Sequence, residues 1–331
     1  MKGFYRRIIM KNKFIGVNAL LNAIKTIFSI IFPLITFPYI SRVLGVENIG
    51  IYNFSSSVVS YFTLLAGLGI NTYAIREGAR YRNEKKKISD FCSEVFSINL
   101  ISTLISYVIL LFCLFFLTKL HDDFIIILIL SISIGLTTLG CEWIFNIYEE
   151  FGFITIRTIM CQLISVILMF IFVKNKNSLV QYSLITLIAT SGSNFINIFV
   201  RRKYCDIRFC FNSKMRRHLI PILILFANSI AMTIYINSDV TILGLISGSY
   251  YVGLYSVSTK VYTMLKSLLG ALIVVSIPRL SSYIGNGNKK QYSETASIIL
   301  NSLITIAVPA MVGTFALSDK IVLLLSGKEY M

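Results

Sequence analysis

The chain has 331 residues, 56% of them hydrophobic and only 14% charged, with 31 Lys and Arg against 15 Asp and Glu for a formal net charge of +16. A mean hydropathy of +0.76 excludes an ordinary water-soluble domain and a disordered chain, both of which carry far more polar sequence. The basic excess is scattered over several short gaps rather than gathered on one face, which argues against nucleic acid as a partner.

A hydrocarbon core asks for roughly 20 apolar residues per helix at about 1.5 Å rise each. Nine stretches meet this: residues 14–40, 49–72, 91–117, 124–146, 155–173, 179–200, 219–246, 250–278 and 293–317. They are too long and too evenly apolar for the alternating strands of a membrane barrel, so the predicted fold is an all-α polytopic membrane protein. The first run follows a basic segment but exceeds the short apolar core of a cleavable leader, and stands as the first span. Taking the N-terminus as cytoplasmic places 22 of the 31 Lys and Arg in inside gaps: before the first span, in 73–90, at Arg157, in 201–218 and around 279–290. The outside gaps hold only Arg42, Lys119, Lys174, Lys176 and Lys320. This asymmetry predicts a multi-pass protein of the cytoplasmic (inner) membrane with its N-terminus inside.

Within the first span, Lys25 lies roughly 16 Å deep, and Asn18 and Asn22 share its face, so the three form either a polar stripe toward a cavity or helix-to-helix glue. Pro33 and Pro38 interrupt the same span and allow it to bend. Arg76 and Glu77 open the inner gap after the second span, as Arg279 does after the eighth; they are candidates for gating or for headgroup contact. Glu142, beside the only tryptophan, Trp143, is a further gate or coupling candidate or an interfacial anchor. In the seventh span, Asp239 is the natural acidic counterpart of Lys260, as a structural partner or as a titrating coupling group. Lys260 and Lys266 in the eighth span are about 120° apart, so both can border a wide cavity but not a narrow stripe. The six cysteines read as reduced thiols. Cys205, Cys210 and His218 match no zinc spacing, and neither metal nor cofactor is expected.

The chain also repeats itself. Leu44-Gly45 followed by Ile49-Gly50-Ile51-Tyr52 recurs as Leu243-Gly244 followed by Val252-Gly253-Leu254-Tyr255, with four extra residues in the second copy, and each tyrosine precedes a basic residue, Arg76 or Arg279, by 24 positions. Span seven begins on the side where span one began, so the repeat is parallel. The expected architecture is two parallel six-helix bundles related by a pseudo-twofold axis along the membrane normal. Residues 1–217 form the first, and 218–331 the start of a second that stays incomplete, as in a truncated chain. No nucleotide loop, metal-ligand helix or nucleophile elbow is present, so the protein is read as a transporter rather than an enzyme.

Particular runs carry a resemblance. Phe37-Pro38-Tyr39-Ile40-Ser41-Arg42-Val43-Leu44-Gly45, Tyr73-Ala74-Ile75-Arg76-Glu77, Glu142-Trp143-Ile144-Phe145 with Ile154-Thr155-Ile156-Arg157, and Asp239 to Gly244 with Lys260 and Pro278-Arg279-Leu280 resemble the polysaccharide repeat-unit flippases of the multidrug/oligosaccharidyl-lipid/polysaccharide exporter superfamily. The chain departs from them in having Asn146-Ile147 where the family usually has Gln-Gly, and in its smaller number of spans. The resemblance implies translocation of an undecaprenyl-diphosphate-linked oligosaccharide for O-antigen, capsule or exopolysaccharide assembly, with H+ or Na+ as coupling ion and a polysaccharide polymerase and chain-length regulator as partners. Lys25 and Lys260 would offer point charges to the diphosphate without the bidentate grip of arginine. The alternatives are a cation-coupled antiporter of the same superfamily, which would favour an acidic cavity, and a polysaccharide polymerase, which the short outside gaps oppose.

Overall fold

The computed structural model describes residues 2–212 and 215–331, without the side chains of 2–27, 29–31, 268, 271, 272, 274, 275, 277 and 278. Asn18, Asn22 and Lys25 therefore lie outside the described residues.

Among the described residues the chain is helical throughout. The helices are α1 (Lys2–Gly67), α2 (Ile70–Gly78), α3 (Lys85–Phe116), α4 (Phe124–Gly140), α5 (Glu142–Ile147), α6 (Phe151–Phe172), α7 (Leu179–Val200), α8 (Arg216–Ser247), α9 (Ser249–Gly285), α10 (Lys289–Ala316) and α11 (Ser318–Leu325). Six helical stretches are long and apolar enough to cross a membrane, beginning with Phe32–Gly78 and Lys85–Phe116 and ending with Lys289–Ala316; Phe124–Gly140 is a shorter apolar helix.

The polarity of α3 shows what solvent the fold is built for. Its inward face carries Ser93, Ser97, Asn99, Ser102, Thr103 and Ser106, all buried, while Leu104, Val108, Phe112 and Phe115 point outward and are more than half exposed. This inside-out arrangement suits lipid, where helix association rests on close packing and hydrogen bonds because apolar burial gains nothing. The inward groups are used. Leu68 and Gly69 adopt positive φ, which ends α1 and leaves the carbonyl of Ala66 without its helical donor. Asn99 Nδ2 (2.8 Å) and Ser102 Oγ (2.6 Å) donate to that carbonyl, and Ser106 Oγ donates to Phe62 (2.7 Å).

α1 is two helical limbs joined by a kink at Gly45, where φ is 78° and ψ 176°. The limbs contain the apolar runs 14–40 and 49–72. Gly248, between α8 and α9, has φ 90° and ψ 172°, the same left-handed extended conformation open to glycine. Gly45 and Gly248 thus share a conformation, and pairing these two, in place of Gly45 with Gly244, would leave the repeat without inserted residues. The sequence alignment followed the Leu-Gly pair, whereas the backbone follows the turn.

The two turns meet. A β-carbon on Gly50 would lie 1.7 Å from the carbonyl oxygen of Ser249, and one on Gly253 would lie 2.0 Å from that of Val46. Val46 and Gly50 are the counterparts of Ser249 and Gly253, so the contact is reciprocal. From this crossing the second limb of α1, continued by α2, runs antiparallel to α8. The Phe54 ring rests on Gly244, Ser57 Oγ is 3.0 Å from Thr241 Oγ1, and Tyr73 reaches His218 at the far end. At the Gly45 end, α11 and the turn after it lie over α1: Arg42 donates to the carbonyl of Leu324 (2.7 Å), Ser41 to that of Leu325 (2.9 Å), and Lys176 pairs with Glu329 (2.9 Å). Residues 318–330 are therefore a docked helix and turn.

Asp123 precedes α4, is buried, and makes no capping hydrogen bond. Burial first, and then the charge of Asp122, pushes its carboxyl up to about 6. With a folded pKa above its unfolded value of about 4, this group supports the fold while protonated and loses that support as pH rises through 6. Asp123→Asn is expected to raise the melting temperature in detergent at pH 7.5 and to flatten the decline between pH 5 and 7.5. A lower melting point at pH 7.5 would contradict this.

Candidate functional site

A cavity of about 620 Å³ opens between α1, α6, α7 and α9, with Glu142 reaching in from α5. Its wall is mainly hydroxyl and amide: Tyr52, Gln162, Tyr182, Thr186 and Thr259 are representative, and among the described residues Lys260 is its one basic lining residue. Tyr52 and Tyr182 pair as rings at 4.6 Å. Lys260 Nζ stands 5.4 Å from the Phe37 ring centroid, a cation–π contact. Among the described residues no carboxylate lies within ion-pair distance of it.

The one acidic lining residue among the described residues is answered separately. Cys141 takes a left-handed conformation (φ 46°, ψ 50°) between α4 and α5, re-aiming the chain so that Glu142 faces the cavity while Trp143, only 4% exposed, turns into the core. The two are therefore not an interfacial anchor pair. Arg157 Nη2 sits 3.0 Å from Glu142. The same guanidinium donates to the carbonyl of Ser193 (3.1 Å) and to Asn197, and lies over the rings of Phe145 and Phe153. Arg157, counted in the sequence among inside-gap charges, is 3% exposed within α6. Breaking such a pair leaves an uncompensated charge. Arg157→Leu is expected to destabilise the protein by about 3 kcal/mol, read by thermal unfolding in detergent; a change below 1 kcal/mol would show that Glu142 is solvated without it.

The remaining expected site residues fall elsewhere. Lys266 Nζ lies over the rings of Tyr235 and Tyr262, at 5.9 and 5.7 Å. Asp239 accepts from the Tyr255 hydroxyl at 3.0 Å, in place of an ion pair with Lys260. Arg279 donates to the Tyr283 hydroxyl one turn on, at 2.9 Å. Arg76 and Glu77 line a separate cavity of about 490 Å³ with Tyr73, Arg217 and His218, and Glu77 pairs with Arg80 at 3.1 Å. The structure thus brings Lys260 and Glu142 to one cavity and Arg76 and Glu77 to another, and places Lys266, Asp239 and Arg279 in neither. Sequence reading missed Tyr52, Gln162 and Tyr182 as lining, and Arg157 as partner. An arginine held by two aromatic rings, an amide and a carboxylate leaves no local signature. All six cysteines are free, and no cluster of metal-ligating side chains occurs among the described residues.

The described residues make this an all-helical, multi-pass membrane protein with a polar cavity beside the contact of its two glycine turns. Residues 15–284 match the model of a family described as polysaccharide biosynthesis protein, and the chain belongs to that family, in accord with the resemblance of its motifs. A protein of Escherichia coli (strain K12) carrying the name "Putative O-antigen transporter" is 26% identical over 252 residues, covering 76% of this chain and 61% of that protein. A Shigella dysenteriae protein of the same name is 26% identical over 307 residues, covering 91% of this chain and 75% of its own. No solved structure matches.

Proposed function

We propose that the protein moves a lipid-diphosphate-linked oligosaccharide repeat unit, of the undecaprenyl type, from the cytoplasmic to the outer leaflet of the inner membrane by alternating access. The observation that carries this is the charge state of the cavity. Glu142 is answered by Arg157, which among the described lining residues leaves Lys260 as the cation available to an anionic group, among hydroxyls suited to sugars. A lysine holds a phosphate as a point charge and can release it, while the lipid tail stays in the bilayer. The names of the two relatives and the family support the same cargo. A cation antiporter would need a free acid in this cavity, and the geometry does not favour it.

The proposed architecture is two parallel six-helix halves with nine spans in this chain, the first half at residues 1–217 and the second starting at 218. The equal conformations of Gly45 and Gly248 and the reciprocal contacts of Gly50 and Gly253 support this arrangement. With the N-terminus inside, that crossing lies on the outer face, so the conformation described is closed outward. Lys25, Asn22 and Asn18 would extend the cationic wall along the first span. H+ or Na+ would drive the cycle, and a polymerase and chain-length regulator would take the product. The test is rescue of surface glycan in a strain lacking its own repeat-unit flippase, by the full reading frame; a correctly inserted protein that restores none with its cognate glycan present would refute the reading.

A further inference from the structure

At the end of the α1–α8 seam opposite the glycine crossing lies a buried polar cluster that the cavity does not use. His218, in the first turn of α8, is 4% exposed, and both ring nitrogens are engaged. Nε2 is 2.7 Å from Glu94 Oε2 on α3, and Nδ1 is 2.5 Å from the Tyr73 hydroxyl on α2. Glu94, 6% exposed, also accepts from Arg217 Nη2 at 2.8 Å. The Phe91 ring closes one side of the imidazole at 5.5 Å.

The partners fix what the imidazole can do. Glu94, held by an arginine, is an ionised acceptor, so Nε2 carries a proton and donates. The tyrosine hydroxyl can either donate or accept. With a neutral ring, Tyr73 donates to Nδ1. When Nδ1 takes a proton, the hydroxyl rotates and accepts from it, and the Glu94 contact becomes an ion pair. The ring can therefore gain and lose one proton with no heavy atom displaced. Access is available from two sides. Tyr73 and His218 line the cavity of about 490 Å³ with Arg76, Glu77, Arg80 and Tyr81. Glu94 and Arg217 line a neighbouring cavity of about 840 Å³ with Lys86, Lys87, Asp90, Asp206 and Arg208. These are the charged groups around the two cavities from α2, α3, α8 and the connections between them; Arg217, whose Nε also lies 3.3 Å from Nε2, opposes the added proton, and Glu94 favours it.

We propose that His218, with Glu94 and Tyr73, binds the coupling proton of the exporter at the junction of α2, α3 and α8. This rests on the exporter reading above. A bound proton strengthens the tie between α3 and α8, and its release reduces that tie to a neutral hydrogen bond, so occupancy biases the inner end of the seam between the two halves.

The chain has two histidines, and the other, His121, is exposed in the loop before α4. The test is imidazole-nitrogen NMR of the full protein in nanodiscs, labelled at histidine and carrying His121→Asn, titrated from pH 4.5 to 9, alongside glycan export by the same protein across that external pH range. A single titration from one tautomer is expected, with Glu94→Gln lowering its midpoint by about one unit, and His218→Gln is expected to abolish the pH dependence of export. A ring that does not titrate in this range, or an export profile that His218→Gln leaves unchanged, overturns the proposal. Should His218→Gln fail to accumulate, Tyr73→Phe, which removes one hydroxyl, must shift the midpoint and the export profile together or the proposal falls. Failure of the exporter reading shows separately, as absence of glycan with wild-type protein at every pH; the coupling role then falls whatever the ring's titration.

Discussion

Gly50→Val is expected to abolish glycan export while leaving the protein inserted in the membrane. At this position a single added β-carbon would stand 1.7 Å from the Ser249 carbonyl oxygen and 2.9 Å from the Gly253 amide nitrogen. Both neighbours are backbone, so no rotamer change relieves the clash, and α1 must move away from α9 by more than 1 Å. Overpacking of this kind typically costs 1–3 kcal/mol and at times more, and here it falls on the contact that closes the outer face in the proposed cycle. Gly253→Val should behave alike, because its β-carbon would stand 2.0 Å from the Val46 carbonyl oxygen. Export measured by surface glycan, with protein level followed by immunoblot, checks both. Near wild-type export by either variant would show that the two turns need not meet for function.

The second large effect is expected from Lys260→Ala. Lys260 is the cavity's only basic lining residue among the described residues, and a hydrogen bond to a charged group is worth about 1.5–3 kcal/mol, so its loss should lower export by roughly 10- to 150-fold. Lys260→Arg keeps the charge but exchanges a compact ammonium for a planar fork that grips phosphate bidentately, and should retain export at a reduced rate. Lys266→Ala is the internal control, since Lys266 lies against Tyr235 and Tyr262 away from the cavity. Equal losses at 260 and 266 would mean that positive charge on α9 matters for insertion rather than for cargo.

How much of this was legible depended on whether the determinant was local. Membrane class and helical fold follow from hydropathy alone, and Lys260 stood out because a lysine at depth needs a reason. The repeated motif was visible too, but not which glycine turns the chain: the Leu-Gly pair at 243–244 mimics the pair at 44–45, whereas a positive φ like that of Gly45 falls at Gly248. Glu142 was found as a candidate in the wrong setting, because the left-handed Cys141 that aims it inward is not encoded in any hydrophobic period. Asp239 and Lys260 look like partners by charge, yet Tyr255 occupies the acid. Arg157 was sorted as a gap charge because its counterparts, Glu142 and Asn197, are 15 and 40 residues away in sequence. Glu94 and His218 were harder still, at a separation of 124 residues; an acid inside the apolar run Phe91-Cys92-Ser93-Glu94-Val95-Phe96 was the one available signal, and it names no partner.

The central claim, that this fold carries lipid-linked glycan across the membrane, is tested most directly by leaflet assignment. Spheroplasts of a flippase-less strain that still makes the repeat unit would be treated with a membrane-impermeant glycan-modifying reagent, with and without the full reading frame. Expression is expected to make most of the lipid-linked repeat unit accessible to the reagent, and Lys260→Ala to leave it protected. Accessibility that is the same with and without the protein, at equal membrane levels, would contradict the account.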